Sequence, residues 1–541
     1  MRRPHMLPIT SVLTKPMHLI LGKKSRWLVP SVFTLGSIYV LMTLYAIAAI
    51  EKYSNSSSSA LNSPFRRRSL RSVDHSAFSK SSSSRKLQWN QESFPVHTSP
   101  DETEEIGHPG IAFSGAERIR VLMPDLDFPE TLTVPKFWDP DIENGQGGAR
   151  DLLGNYGERL MTPEEAEQVG SWKDGKETIF VSIASYRDSE CRSTVESLYA
   201  RAKFPERIRV AVVDQIEDGD ERCGEPAVPC DQDPDQPLCK YKDLIEVYEV
   251  KSYLMVGPVL ARHIAHRMYR GEYFALQVDA HVRFTKEWDE DVISQWYSTG
   301  NEMAVISTYL TDIANSIDPM THKSLRKERN MMCNIRFDGS GKNNRLTLKS
   351  PLNGVPVVKG SPMLHPFWSA GFSFSRGHFI VQVPYDQHLP MLFQGEESSI
   401  VVRGFTYGYD FYAPERSVAF HIYAIKENIS RRNRHKFWEN ETLYIGALEK
   451  STARLNGITG LSGSVKKDYY RVDERKYGLG RVRDKQLYFD TFGIHPVTHS
   501  VDGFLCGIVK ETMHKEFSKH LRQDAMGIDY SAVDFRIPKV R

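Results

Sequence analysis

The chain has 541 residues and a mass of 61.8 kDa, with 40% hydrophobic and 26% charged residues. This composition excludes wholesale disorder and a polytopic membrane protein, and the length allows two to four domains. Lysine and arginine total 70 against 68 for aspartate and glutamate, so the net charge of +2 gives no electrostatic reason to bind nucleic acid. Six cysteines are too few for a disulfide scaffold but enough for one or two bridges.

The first predicted element is a membrane helix at residues 27–50, which carry no charge. As a helix, this segment would span about 36 Å, enough to cross a bilayer with some tilt. The sequence Ala46-Ile47-Ala48 resembles a signal-peptidase site, but the apolar run is longer than the roughly 7–15 residues usual in a signal peptide. A signal anchor is therefore favoured over a cleaved signal peptide or a buried core helix.

Basic residues on the two sides of this segment bear on its orientation. Within about 15 residues of its ends, Lys52 alone follows it, whereas four basic residues precede it: Lys15, Lys23, Lys24 and Arg26. A wider window also admits Arg66–Arg68 and makes the two counts equal. The near window and the long C-terminal body favour residues 1–26 as a cytoplasmic tail and a single-pass type II topology.

A disordered stem is predicted at residues 51–105. Residues 51–100 contain sixteen serines and few aliphatic residues, so they bury too little apolar surface to offset the entropy of ordering. An anchor, a stem and a distal folded body together favour a cell-surface or Golgi protein. Three N-x-S/T sequons, at Asn55, Asn428 and Asn440, fit a lumenal body.

Alternating strand and helix patterns follow Trp172. Buried strands are predicted at 179–184, 208–213, 273–278 and 304–307, and apolar stripes at helical spacing follow Cys191 and Pro258. This alternation predicts an α/β domain with a largely parallel sheet, whose ligands bind at the carboxyl ends of the strands.

Several common site motifs are missing from the sequence. It contains no complete Walker A loop, GxSxG elbow, HExxH or GxGxxG motif. Cys223, Cys230 and Cys239 lack nearby histidines and the short spacings of common zinc sites, so a disulfide closing this loop is favoured over a metal. The pairing does not follow from the sequence.

The third predicted strand ends in Gln277-Val278-Asp279-Ala280-His281. Residues i and i+2 of an extended segment point the same way, so Asp279 and His281 present a carboxylate and an imidazole side by side. That pair suits a divalent metal of intermediate hardness, with Mn²⁺ the leading choice, and such a metal stabilises a leaving diphosphate. The alternative is a structural aspartate beside a surface histidine.

Several ordered motifs resemble those of the peptide α-N-acetylglucosaminyltransferase family, whose members glycosylate hydroxyproline or start mucin-type glycans. The resemblance covers roughly residues 175 to 500. It rests on these stretches: IFVSIASYRD at 179–188, GPVLAR at 257–262, YRGE at 269–272, LQVDAHVRF ending at Phe284, Trp288-Asp289, FWSAGF at 367–372, PYD at 384–386, LFQGEE at 392–397, GYDFY at 408–412 and YGLG at 477–480.

The resemblance implies a GT-A fold that uses a UDP-sugar, with Asp279-Ala280-His281 as the metal-binding motif. His421 fits the third ligand by its order and strand-like context, and a buried hydrogen-bonded histidine is the alternative. The implied donor-site residues are these: Ser185, Tyr186, Arg187, Arg262, Asp279, Trp368 and Gly371. Tyr186 would stack on uracil or be an exposed loop residue. Arg262, near a helix start, would face the diphosphate or form a surface salt bridge. Trp368, with Ser369 and Gly371, would line the sugar pocket or pack in the core.

Glu396 and Glu397 fall where GT-A enzymes place an acidic residue near the sugar and the acceptor. Two adjacent buried carboxylates raise each other's pKa, so we expect one of them to point away. A retaining displacement needs no strong base, so the resemblance implies an orienting role; a capped helix start is the alternative. For the basic run Arg431, Arg432 and Arg434, a solvated face is favoured over a role in steering the donor.

The sequence thus predicts a Golgi glycosyltransferase that moves GlcNAc from UDP-GlcNAc to a Ser, Thr or hydroxyproline hydroxyl of a secretory protein. The alternatives are another UDP-sugar or a glycan acceptor, a catalytically silent carbohydrate-binding or scaffold domain, and a metal-dependent hydrolase. The predicted divisions are a tail (1–26), an anchor (27–50), a stem (51–105), a pre-domain segment (106–172), a GT-A catalytic domain (173–445) and a C-terminal extension packed on it (446–541). The oligomeric state stays open.

Overall fold

The computed structural model describes residues 102–125, 128–139, 148–339, 344–349, 353–424, 429–463 and 468–534. The predicted tail, the anchor at 27–50 and nearly all of the stem lie outside these residues. In the part of the chain that is described, no helix has the length and apolar character needed to cross a bilayer. Folded structure begins slightly earlier than predicted, because Thr103–Gly107 forms a strand paired with Thr131–Pro135.

An eight-stranded sheet forms the centre of the body. In chain order its strands are β1 (Ile179–Tyr186), β2 (Ile208–Ile216), β3 (Ile245–Lys251), β4 (Phe274–Asp279), β5 (Ala304–Ser307), β6 (Met363–Leu364), β7 (Phe372–Arg376) and β8 (Asp410–Ala413). The spatial order is β6-β8-β5-β7-β4-β1-β2-β3. Strand β2 is buried at every position, as expected for a parallel strand covered on both faces.

The sheet is mixed and mostly parallel, which confirms the predicted α/β domain with a largely parallel sheet. The pairs β1–β2, β1–β4, β2–β3 and β5–β8 are parallel, whereas β7 runs antiparallel to both β4 and β5, and β6 antiparallel to β8. Because β1 and β4 are parallel neighbours with Ala184 opposite Asp279, the loops after both strands meet at one edge. That edge is where ligands bind in open α/β sheets.

Six helices of eight or more residues occur in the described body: α1 (Cys191–Arg201), α2 (Pro258–Arg267), α3 (Trp288–Tyr297), α4 (Glu396–Thr406), α5 (Ala447–Thr459) and α6 (Lys485–Phe492). Helix α2 begins with Pro258 at its first position, where the missing N–H costs nothing, after Gly257 at φ 103°. It crosses from β3 to β4 and is buried at nearly every position, so it forms part of the core rather than a surface stripe.

Shorter elements complete the described body. The remaining α-helices are Pro109–Ser114, Ala116–Leu122, Ala149–Leu152, Gly154–Gly157, Pro163–Ala166, Pro237–Lys240, His378–Gln382, Ile429–Arg432, Glu474–Tyr477, Leu505–Ile508 and His514–Phe517. The other strand pairs are Trp172–Lys173 with Lys176–Glu177, Val282–Phe284 with Ala419–His421, Glu328–Met331 with Asn353–Pro356, Ile335–Asp338 with Arg345–Leu348, and Ile494–His495 with Ser500–Val501.

All six cysteines form disulfides, so the expectation of one or two bridges is wrong and three are present. Cys230–Cys239 closes the predicted loop, whereas Cys223 pairs with Cys191 at the start of α1. Cys333–Cys506 spans 173 residues and ties the C-terminal extension to the region after β5. Closing a loop of that length removes much conformational entropy from the unfolded chain.

Candidate active site and metal centre

Asp279, His281 and His421 form a group with the chemistry of a metal centre at the carboxyl end of β4. One ligand atom from each residue lies within 4.8 Å of the others, and all three side chains are partly buried. His421 Nε2 is 3.5 Å from Asp279 Oδ2. One carboxylate and two imidazoles suit Mn²⁺ or a similar divalent ion, and a single cation fits between atoms at this spacing.

Non-local strand pairing positions His421. After Asp279 the chain turns through Ala280 and His281 into Val282–Phe284, which pairs antiparallel with Ala419–His421. His421 is opposite Val282 in that register, so its ring meets the ring of His281 edge-on at 4.5 Å. The backbone N–H of Ile422 also donates to the carbonyl of His281 over 2.9 Å.

Asp188, a residue that no sequence motif marked as functional, orients His281. His281 Nδ1 is 2.8 Å from Asp188 Oδ2, which leaves Nε2 of the imidazole for a metal. Arg431 and the backbone N–H of Glu190 also donate to Asp188. Burial alone would raise the pKa of Asp188, but the contacts with His281 and Arg431 lower it to about 2. Asp188 is therefore the ionised carboxylate that often supports a metal-binding histidine.

Asp188→Asn is expected to weaken Mn²⁺ binding by about 10–100-fold, because the imidazole loses its charged partner while the three ligands remain. Titration of the protein with Mn²⁺, followed by calorimetry, measures this change. Asp490→Asn is the matched control, since Asp490 is exposed on helix α6. Equal affinities in wild type and Asp188→Asn would show that Asp188 does not support the ligand.

A buried ion pair lies next to the metal ligands. Arg262 of helix α2 donates to Glu396 Oε2 over 2.6 Å and to Asp279 Oδ1 over 2.9 Å. The Arg262 side chain is only 9% exposed, so the predicted alternative of a surface salt bridge is wrong. Burial alone would lower the pKa of Arg262, but Glu396, Tyr385 and Asp279 raise it. For Asp279, burial alone would raise the pKa, and His421 and Arg262 hold it well below its usual range.

Glu396 and Glu397 open helix α4 and both face the same cleft. The expectation that one carboxylate points away is therefore wrong. Glu397 accepts hydrogen bonds from the Tyr309 hydroxyl at 2.9 Å and from the Ala370 N–H at 3.1 Å. Burial and the neighbouring Glu396 raise the pKa of Glu397 to about 8, and burial also raises that of Glu396. Glu397 is thus largely protonated at neutral pH.

This raised pKa predicts a pH dependence of stability. Between about pH 4.5, the ordinary value, and about 8, the folded protein holds a proton on Glu397 that the unfolded chain has released. Stability contributed by this group is therefore lost as the pH rises through that window. We expect Glu397→Gln, which keeps a neutral polar group, to unfold at a temperature that falls less between pH 5 and pH 9 than that of wild type.

Thermal unfolding of metal-free protein in a chelator measures this difference, because no cation then adds its own pH dependence. Glu511→Gln serves as the control, since Glu511 is exposed in the C-terminal extension. Parallel curves for wild type and Glu397→Gln would contradict the raised pKa.

The cleft around these groups encloses about 1510 Å³, including its open mouth. Ser369 and Gly371 line it, and a Cβ on Gly371 would lie 2.9 Å from Asp279 Oδ2, so glycine is needed for this close approach. Trp368 does not line this cleft. It is 1% exposed and donates from its indole to the Ser373 hydroxyl, so its predicted place in the sugar pocket is wrong and it packs in the core.

The predicted nucleotide-contacting residues are the last two residues of β1 and the one after it, and they do not line the cleft. The Tyr186 hydroxyl accepts from the Asn440 side chain at 3.1 Å, and Ser185 is fully buried with its carbonyl bonded to Gln215. Arg187, at φ 48°, pairs with Asp220 through two contacts of 2.7 and 3.1 Å. Its guanidinium thus already has a carboxylate partner.

The basic run after the sequon at Asn428 is divided between the cleft and solvent. Asn428 itself lies outside the described residues, and Arg432 is exposed. Arg431 is buried against Asp188, and Arg431 and Arg434 both line the cleft. The expectation of a wholly solvated face is therefore wrong for two of the three arginines.

The mixed, mostly parallel sheet carries its candidate metal ligands at the carboxyl end of a central strand. A family model described as "Glycosyltransferase (GlcNAc)" matches residues 178–236 and 229–498, more than half of the chain. The chain belongs to this glycosyltransferase family. No curated protein matches it.

Solved structures that this chain partly resembles include GalNAc-T7 with UDP, GalNAc and Mn²⁺, at 14% identity and a TM-score of 0.36. That alignment covers 60% of this chain and 55% of the GalNAc-T7 chain, so this chain spans little more than half of that one. TarS 1–349 of S. aureus matches at 14% identity, a TM-score of 0.29, and 56% and 77% coverage. The mannosyltransferase PcManGT of Pyrobaculum calidifontis, with GDP-Man and Mn²⁺, matches at 11% identity and a TM-score of 0.29. That alignment covers 53% of this chain and 76% of the PcManGT chain.

Proposed function

We propose that this chain transfers GlcNAc from UDP-GlcNAc to a Ser, Thr or hydroxyproline hydroxyl of a protein, with retention of configuration and with Mn²⁺ or another divalent cation. The family match supports sugar transfer. The observation that carries the proposal is the group of Asp279, His281 and His421 in a cleft shared with Arg262 and the two glutamates. When bound there, a divalent cation supplies a Lewis acid that neutralises the leaving diphosphate.

The side chains around this group have distinct tasks. Asp188 holds the His281 ring in place, and Arg262 fixes the orientation of Asp279 and Glu396 through its two hydrogen bonds. Glu396 is occupied by Arg262, and Glu397 is largely protonated at neutral pH. Neither glutamate is a strong base, which supports an orienting role toward the sugar and the acceptor hydroxyl over general-base catalysis.

The test is turnover of UDP-GlcNAc by purified full-length protein with Mn²⁺, followed as UDP release with and without Ser, Thr or hydroxyproline peptides. Parallel reactions with UDP-GalNAc and UDP-glucose, and with glycan acceptors, compare the alternative donors and acceptors. Binding of UDP-GlcNAc without turnover would favour a catalytically silent binding domain. Preference for another donor would be consistent with a glycosyltransferase but would reject GlcNAc as the transferred sugar.

We also propose a Golgi location, with residues 27–50 as a type II anchor and the catalytic domain in the lumen. Three disulfides and no free cysteine in the described body support an oxidising compartment. Protease protection in intact Golgi vesicles tests the sidedness. Asn440 is a poor glycosylation reporter, because its amide nitrogen donates to Tyr186 and to the Ser252 carbonyl. A sequon added at an exposed site is the better reporter.

A further inference from the structure

Three aromatic side chains, two of them exposed, form a group at the mouth of the cleft. We call Phe393, Phe437 and Trp438 the mouth cluster. Phe393 is 49% exposed and Trp438 is 44% exposed, while Phe437 is buried beneath them. Large apolar side chains grouped on a surface beside a polar cleft mark a contact surface more often than isolated ones do.

The mouth cluster is continuous with the candidate active site. Phe393 lines the same cleft as the metal-ligand group and precedes Glu396 by three positions. Trp438 lies in the 3₁₀ turn Phe437–Asn440, whose last residue donates to the hydroxyl of Tyr186, the last residue of β1. Phe393, whose ring centroid lies 6.0 Å from that of Trp438, therefore joins the mouth cluster to the cleft.

The cluster is held in place from below. The ring of Phe437 packs against Gly257 at the start of α2, where even an added Cβ would lie 3.0 Å from that ring. The other end of the same turn is fixed by the hydrogen bond from Asn440 to Tyr186. An exposed platform on fixed backbone loses little entropy when it binds a partner.

The rings form a corner and not a flat slot. Phe393 is tilted by 54° to both Phe437 and Trp438, and those two rings are tilted by 76° to each other, with centroids 5.3 to 6.0 Å apart. The exposed rings of Phe393 and Trp438 therefore present apolar surface at two different angles. A pyranose, with hydroxyls around its ring, needs fixed polar partners as well as one aromatic face.

We propose that the mouth cluster is an acceptor subsite, which binds a large apolar side chain flanking the acceptor hydroxyl of a peptide. The proposal rests on the proposed function, since it assigns an acceptor to the same cleft. In this proposal Phe393 and Trp438 determine which acceptor peptide binds, and neither side chain needs to contact the sugar donor. A glycan acceptor is the competing occupant.

The experiment uses full-length protein, Mn²⁺, UDP-GlcNAc and synthetic peptides with one Thr, flanked by Leu or Phe or, in the reference peptides, by Ala. In wild type we expect apolar flanks to lower KM by about tenfold or more against Ala, in line with the loss on removing an aromatic hot spot. Trp438→Ala and Phe393→Ala should remove this preference and leave peptide-independent hydrolysis of UDP-GlcNAc within about twofold. Trp172→Ala and Phe504→Ala are matched controls, because those side chains are 49% and 59% exposed outside the cleft.

Binding gives a readout that does not depend on turnover. The apolar-flanked peptide should change tryptophan fluorescence in wild type, and Trp438→Phe should remove that change. Absence of hydrolysis in wild type, with the fluorescence change intact, would reject the proposed function and keep the subsite. Three results would overturn the subsite. The first is hydrolysis without transfer to any apolar-flanked peptide, and the second is an unchanged peptide preference in both alanine variants. The third is a fluorescence change that glycans suppress and apolar-flanked peptides do not.

Discussion

Asp279→Asn is expected to abolish divalent-cation binding and sugar transfer together, with transfer falling by roughly 10³-fold or more. Asparagine keeps the shape of the side chain but offers a neutral oxygen, a poorer ligand for Mn²⁺ than a carboxylate. The cation's stabilisation of the leaving group is worth several kcal/mol, and each 1.4 kcal/mol is about a factor of ten in rate. UDP release and transfer under saturating UDP-GlcNAc measure the loss.

Folding should survive this substitution, because Arg262 retains its 2.6 Å contact with Glu396. Added Mn²⁺ raises the melting temperature of a protein that binds it only when folded, so wild type should show this rise and Asp279→Asn should not. Asp218→Asn is the control, since the Asp218 side chain is 97% exposed beside Lys251. A full Mn²⁺-dependent rise in Asp279→Asn would place the cation elsewhere.

Local patterns were sufficient to predict much of the sheet. The strand predicted at 304–307 has those bounds in the structure. The strand predicted at 179–184 starts where expected and continues past its predicted end to Tyr186. These strands are continuous apolar runs because they are covered on both faces. Strand β3 was missed because its sequence IEVYEVK alternates with charged residues at the sheet edge, and β7 was missed because the buried pattern FSFSR includes serines.

Long-range pairing explains what the sequence could not supply. The D-x-H spacing places Asp279 and His281 together locally, but His421 joins them only through a strand pairing far along the chain. Asp188 could have been found from the sequence, because it lies just after β1, a strand that was predicted. The carboxyl ends of neighbouring parallel strands lie at the same edge of the sheet, so Asp188 would be expected near Asp279 and His281. Burial of Trp368 and the partners of the six cysteines depend on tertiary packing, which one sequence does not reveal.

The same distinction separates the two halves of the cleft. Its metal-ligand group lies at strand ends, where the sequence identified Asp279, His281 and His421. Its mouth is built by the 3₁₀ turn Phe437–Asn440 and the segment before α4, where Phe393 lies. Neither has a periodic pattern, and their rings meet only because both segments fold over the start of α2. The residues inferred to choose the acceptor were therefore absent from the sequence-based site.

Arg262→Met is expected to reduce both stability and activity, because Arg262 is the buried cation between Glu396 and Asp279. Removing one partner of a buried ion pair leaves an uncompensated charge and typically costs about 3–5 kcal/mol. The two carboxylates would then face one cleft without the guanidinium between them. Chemical denaturation of metal-free protein measures the loss of unfolding free energy, and UDP release measures the loss of activity.

The paired substitution Arg262→Met with Glu396→Leu separates the structural role from the functional one. Replacing both charges by apolar groups of similar size removes the unpaired Glu396 carboxylate but leaves that of Asp279, so we expect part of the unfolding free energy to return. Activity should not return, since Asp279 still lacks the donor that orients it and the cleft lacks Glu396. Added Mn²⁺ should stabilise Arg262→Met more than wild type, because the cation compensates Asp279 where the guanidinium is missing. If Arg262→Met were as stable as wild type, the buried ion pair would not exist in solution. If the paired variant regained full turnover, neither Arg262 nor Glu396 would act in transfer.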